Sequence, residues 1–336
     1  MTRLHLAVAL DGRYFTADPW VDLVRAADDA RLDLVTIEDS FGPPAGGGRP
    51  DAVLVAARIA PLTRHIGLVP AATTTHTEPF HLSTALATLD HVSKGRAGWQ
   101  PRVSGDPAEA ALLGRREPLG VEELFAEAAD AVEVVRRLWD SWQDDAIIKD
   151  VATGRFIDRE RLHYIDFAGP YFSVKGPSIV PRSPQGQPVV AVLAHVPLAW
   201  EFAARSADLV FITPSDADSA AKIIGKLDRR LKVYADLVVH LGDDALRRRG
   251  VTTSDAAVFA GTAEQAADLI EGWARAGLDG FRLRPGELPH DLTAITRDLV
   301  PILRERGLFQ PAEGGTLRER LGLAPAPNRY EEAGRA

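Results

Sequence analysis

Short apolar runs alternate with amphipathic stretches along the first hundred residues. Leu4–Leu10 (LHLAVAL) is continuously apolar, the pattern of a strand buried on both faces, and stops at Asp11-Gly12. Asp18-Pro19 starts a helix whose apolar positions Val21, Val24, Ala27 and Ala30 carry it to about Ala30. Leu32–Ile37 reads as the second strand, closing on Glu38-Asp39-Ser40. A Gly/Pro-rich loop, Phe41–Pro50, leads into a helix over Asp51–Ile59, and His65–Pro70 is the third strand, ending in Ala71–His76. From Pro79 onward Leu82, Leu86, Leu89 and Val92 share one helical face. Ser93-Lys94-Gly95 supplies a cation and a residue suited to positive φ at that helix's end. Arg96–Gln100 then reads as a short strand in which Gly98 permits close packing. The βαβαβαβ alternation predicts parallel strands joined by helical crossovers.

The second half repeats the pattern after a break. Glu122–Trp139 is an amphipathic helix, and Asp140–Pro188 is irregular, rich in Pro, Gly and aromatics, and too long for an ordinary connection. It reads as an insertion packed over one end of the domain. Pro188–Leu193, Asp208–Ile212, Leu231–Leu241 and Gly280–Leu283 are the fifth to eighth strands, with helices over Leu198–Ser206, Thr262–Ala276 and Leu292–Glu305. Eight such units predict a (β/α)8 TIM barrel, α/β in class, with an insertion between strands 4 and 5 and a C-terminal extension. Residues 1–336 form one domain in this reading, with 140–188 as the insertion and 307–336 as an extension that wraps the surface or another protomer. No G-x-G-x-x-G follows an early strand, so a dinucleotide-binding doubly wound sheet lacks its fingerprint. In a barrel, chemistry belongs to the loops after the strands: here Asp11, Glu38-Asp39, Thr73–His76, Gln100–Ser104, Ala194–Pro197, Thr213 and Arg282–Arg284.

Composition narrows the partners. A net charge of −8 argues against nucleic acid or an anionic membrane as a partner. The absence of cysteine excludes disulfides, thiolate metal sites and cysteine nucleophiles. No HExxH or paired-His spacing suggests a metal, and no apolar run is long enough for a signal peptide or membrane span. A cytoplasmic protein acting on a small molecule is expected.

One stretch is more specific. ATLDHVSKGRAGWQ, ending at Gln100, resembles the TLDHLSxGRxGWN signature of the bacterial-luciferase-like flavin-dependent monooxygenases, in the branch that holds nitrilotriacetate monooxygenase and pristinamycin synthase. The likeness continues through Leu138–Val189, Gly261–Leu283 and the tail segments Leu299–Phe309 and Thr316–Tyr330. It implies a barrel enzyme that uses reduced FMN and dioxygen on a small organic substrate, is supplied by a separate flavin reductase, and is often a homodimer. In that reading the 140–188 insertion shields the substrate. Related barrels use the deazaflavin F420 for hydride transfer, and a degenerate, non-catalytic barrel is the third possibility.

The resemblance also points to positions. Ile37-Glu38-Asp39 matches the family's Ile-Ala-Asp, so Asp39 faces the flavin or the substrate, or caps the next helix. Thr73 and Thr75 fall where the family has small hydroxyl residues along the flavin ring, the alternative being a solvated strand end. Gln100 replaces the family's Asn, which helps to hold flavin, and Ser104 keeps a hydroxyl for the FMN phosphate, with Arg102 as a neighbouring cation or a surface one. Ala194-His195-Val196-Pro197-Leu198-Ala199 stands where the family's G-A-S-x-x-G turn cradles phosphate. Val196 takes the serine's place, Pro197 removes a donor, and His195 either supplies one in exchange or packs at the surface. The family's Arg-Tyr pair reads Leu124-Phe125. His76 is a candidate to act on a substrate proton, or else a structural residue.

Overall fold

The computed structural model describes residues 3–12, 14–42, 48–250 and 254–333, so part of the Phe41–Pro50 loop and the last three residues of the tail lie outside the described residues. His5–Leu10, Leu34–Ile37, Gly67–Thr73, Gly98–Arg102, Val189–Ala194, Leu209–Ile212, Lys232–Leu241 and Gly280–Pro285 pair in parallel with their neighbours. The first strand pairs with the eighth and the sixth with the seventh, which closes the barrel. This is the (β/α)8 architecture read from the sequence. A further strand, Ala257–Gly261, extends the sheet along the far end of the seventh, pairing with Leu237–Leu241.

The strands are apolar because both of their faces are covered. Leu6, Val8 and Leu10 pack outward against the helices, and Ala7, Leu34, Val69, Ala191, Phe211 and Tyr234 fill the barrel interior. At Gly98 a Cβ would sit 2.9 Å from the Val189 carbonyl oxygen and from a Val69 methyl, so glycine is required for strands four and five to meet.

Several boundaries differ from the sequence reading. The third strand runs through Pro70 to Thr73. The helix Pro79–Ser93 buries Leu82, Leu86 and Leu89 but leaves Val92, in its last turn, exposed. That helix stops through two residues with positive φ, Lys94 (58°) and Gly95 (83°), whose N–H groups return to His91 and Asp90 carbonyls. Helices Pro107–Leu113 and Ala217–Ile224 are additional elements.

The irregular 140–188 segment and the tail meet at the end where the strands begin. Gln185 donates to the Asp90 carboxylate (2.6 Å) and the Ala97 carbonyl (2.7 Å), and its own carbonyl oxygen accepts from the Arg318 N–H. The short helix Leu317–Arg320 inserts Leu317 beneath the barrel, and Leu321 follows it among Leu34, Val69 and Leu209. A Cβ at Gly67 would lie 2.6 Å from a Leu317 methyl, so a glycine at the start of strand three makes room for this plug. Arg318 also ion-pairs Asp208, and His163 of the insertion stacks on Tyr330 of the tail at 4.4 Å. Val134, Leu138, Ile165 and Val174 form a small core of their own between the helix Val121–Asp140 and the insertion. The insertion is expected to shield the substrate; its contacts are with the base of the barrel and the helix Val121–Asp140. Neither cavity at the opposite end, described next, is lined by any residue of 140–188.

Candidate active site

Two cavities open where the strands end. One, of about 500 Å³, has walls of Leu124, Phe125, Val192, Leu193, Ala199 and Phe202, with Glu38, Gln100, Arg102 and His195 as its polar groups. The other, of about 550 Å³, is bordered by Asp11, Tyr14, Glu38, Ser254, Arg284 and Glu287. Glu38 lines both. An apolar slot with a few convergent polar groups, at this end of a barrel, is where chemistry is expected.

Beneath the slot lies a buried charge network. Asp236 and Arg282 are opposite one another on strands seven and eight. The Arg282 Nε and Nη2 donate to the two Asp236 carboxylate oxygens at 2.6 Å each. The Arg282 Nη1 donates to Gln100 Oε1 (2.9 Å), Thr36 Oγ1 (3.3 Å) and Glu38 Oε1 (3.5 Å). The guanidinium stacks on the Phe211 ring at 4.2 Å. Burial opposes its charge, but the Asp236 carboxylate more than offsets that and holds it more firmly protonated than a free arginine. Glu38 reaches from this network toward Arg102 (Oε2 to Nη1, 3.8 Å).

The residues singled out from sequence separate into three groups. Gln100, His195 and Val196 line the slot, together with Arg102. His195 lies 3.6 Å from the Asp255 carboxylate, and Val196 is the exposed residue before the helix Pro197–Ser206. Thr73 is buried at the end of strand three, beside a local hydroxyl network. In that network Ser104 donates through its N–H to Thr75 Oγ1 (3.0 Å) and through its hydroxyl to Glu109, and Glu109 also accepts from the Gly42 N–H (2.9 Å). Asp39 and His76 lie outside both cavity linings. The Asp39 carboxylate accepts from the Ser40 and Ala52 N–H groups at 2.8 Å each, capping the helix Ala52–Ile59, and burial lifts its carboxyl above the ordinary range despite those donors. His76 has positive φ (65°), and burial, then the Arg116 charge, lowers its pKa. Its Nδ1 has no hydrogen-bond partner among the described residues.

Sequence reasoning placed Arg282 on a strand end without assigning it a role, and did not single out Asp236. The signal was present: LKVYADLVVHL carries one acid within an apolar run, and GFRL carries one cation. Alternation puts Tyr234, Asp236 and Val238 on one face of the seventh strand. The register that brings Asp236 to Arg282 is a tertiary fact.

The groups present suit a planar, mainly apolar heteroaromatic ring in the slot, with an anion at its edge held by side chains. At the start of the helix Pro197–Ser206, Pro197 has no N–H, and the Ala199 and Trp200 N–H groups turn back to the Val196 carbonyl at 3.0 and 3.1 Å. Leu198 keeps the N–H of the helix's second residue, and the Arg102 guanidinium and the His195 imidazole stand in the slot lining beside this turn.

Comparison with known proteins adds an independent line. The family described as luciferase-like monooxygenase matches residues 2–249. N-acetyl-S-(2-succino)cysteine monooxygenase of Bacillus subtilis (strain 168) is 29% identical, over 93% of this chain and 91% of that protein. Nitrilotriacetate monooxygenase component A of Aminobacter aminovorans is 28% identical, over 94% of each. Among solved structures, long-chain alkane monooxygenase superposes with a TM-score of 0.86 at 22% identity, over 96% of each chain, a likeness of fold.

Proposed function

The chain belongs to the luciferase-like monooxygenase family, and on that premise we propose that it is the oxygenating component of a two-component system, using reduced FMN from a separate reductase and dioxygen to oxygenate a small organic substrate. The observation that carries this reading is the slot at the barrel mouth, with apolar walls, an amide group on its floor, and a guanidinium and an imidazole at its rim. When bound, reduced flavin supplies the oxygen chemistry, delivering one atom of dioxygen to the substrate and releasing the other as water.

The chain's own groups bind, orient and keep the site dry. Leu124, Phe125, Val192 and Phe202 exclude water from the ring's faces. Gln100 fixes the ring's polar edge, and Arg102 with His195 takes the phosphate, in place of a cradle of backbone N–H groups. The second cavity, across Glu38, takes the substrate, with Tyr14 and Arg284 in its wall. The same reading carries a homodimer, which light scattering checks.

The test is flavin binding followed by oxygen uptake with chemically reduced FMN. Binding at micromolar concentration and substrate-dependent oxygen consumption are expected. A protein that quenches neither oxidised nor reduced FMN sinks the reading, and a preference for reduced F420 replaces it with hydride transfer.

A further inference from the structure

Arg282 does not line either cavity, yet two groups that do line the slot hang from one of its nitrogens. Its Nη1 donates to Gln100 Oε1 at 2.9 Å and to Glu38 Oε1 at 3.5 Å. Guanidinium has donors and no acceptor, so the carboxamide of Gln100 can sit in one orientation only, oxygen toward Arg282. The NH2 group is then turned away from the guanidinium, and it has no hydrogen-bond partner among the described residues. Glu38, also on Nη1, keeps Oε2 for the slot side, where Arg102 stands 3.8 Å away.

The guanidinium itself is fixed. Asp236 takes Nε and Nη2, Thr36 adds a third anchor, and Phe211 backs the plane at 4.2 Å. Its side chain is 1% exposed and that of Asp236 is 0% exposed, so water does not compete for these bonds. The floor therefore presents an NH2 donor beside a carboxylate acceptor, at the base of apolar walls.

We infer that Arg282 is a positioning residue: by holding Gln100 and Glu38 it makes the floor of the slot complementary to the C(=O)–N–H edge of a ring lactam or imide. The ring carbonyl accepts from the Gln100 NH2 group and the ring N–H donates to Glu38. This rests on the flavin reading in one respect, that the pyrimidine edge of a flavin is such an imide. The complementarity itself belongs to any aromatic imide that fits the slot.

Two probe pairs separate the inference from the reading it rests on. Affinities are measured for FMN against N3-methyl-FMN, and for phthalimide against N-methylphthalimide, the second pair by ligand-observed NMR. Wild type is expected to prefer the N–H form of each pair by about tenfold, the size of one hydrogen bond lost with its acceptor left unpaired. Glu38→Ala should abolish that preference, and Gln100→Ala should weaken both members of each pair. The double replacement Asp236→Leu with Arg282→Met removes the buried charges together. It should also abolish the preference although neither residue reaches the ligand, which a merely structural role would not do. If that protein fails to fold, Arg282→Lys, which keeps the ion pair and removes the planar fork, should reduce the preference. Equal affinities within both pairs in wild type, or an undiminished preference in the Arg282 variants, overturn the inference. Phthalimide selectivity without FMN binding leaves the inference standing and removes the flavin reading. FMN binding without N3 selectivity does the reverse, and a protein that binds neither ring overturns both.

Discussion

Asp236 is the residue on which the interior of the barrel depends most directly. Its two oxygens neutralise a guanidinium with no route to water. Asp236→Ala strands that charge and should cost about 3–5 kcal/mol of unfolding free energy, read from urea titration. Replacing both partners with apolar residues of similar volume should recover most of the loss, because the desolvation of two ions disappears with their attraction. The same scale shows how far a sequence can be read for a site. Gln100 is placed by its position after the strongest motif, and it does line the slot. At Glu38-Asp39 the motif match favours the second acid, but strand alternation turns successive side chains to opposite faces. Glu38 thus faces the cavities, and Asp39 turns to the N–H groups of Ser40 and Ala52. A one-residue difference in facing is decided by packing, which a single sequence does not display.

Elements were more legible than residues, because each strand and helix is announced by many positions at once. The eight barrel strands follow from apolar runs with glycine or polar ends, and their boundaries moved by a few residues, as where strand three continues past Pro70 to Thr73. The turn after strand five shows an element whose chemistry follows from its start. Val196 gives no side-chain cap, Pro197 no N–H, and the next two N–H groups after Leu198 are spent on the Val196 carbonyl. Val196→Ser combined with Pro197→Ser restores a capping hydroxyl and one backbone donor, beside Arg102 and His195. Under the flavin reading this variant should bind FMN about tenfold more tightly by fluorescence quenching while leaving riboflavin affinity unchanged. Equal gains for both flavins would place the phosphate elsewhere.

At the scale of the whole molecule, one end of the barrel carries the two cavities and the other is sealed, and the sealed end is where the sequence said least. The insertion and tail share no periodicity, so their meeting beneath the strands is visible only in contacts such as Gln185 with Asp90 and Arg318. Leu317 and Leu321 find their apolar surroundings inside the barrel's base, and no helix among the described residues is long and apolar enough to cross a membrane. Leu317→Ala should cost about 2–5 kcal/mol in urea unfolding, the range for a fully buried leucine, with flavin affinity at the far end unchanged. The seal also carries a titration. Arg320 donates to His65 Nδ1 at 3.1 Å, which requires the imidazole to be neutral. Burial first, and then the charge of Arg320, lowers the His65 pKa to about 4. An unfolded chain protonates this histidine below about pH 6.5. Between 6.5 and 4 the unfolded state therefore binds more protons than the folded one, and stability falls as pH falls through that window. His65→Gln keeps an acceptor for Arg320 and removes the titration. Its thermal midpoint should change less than that of wild type between pH 6.5 and 4, and parallel curves for the two proteins would assign the acid sensitivity to another group.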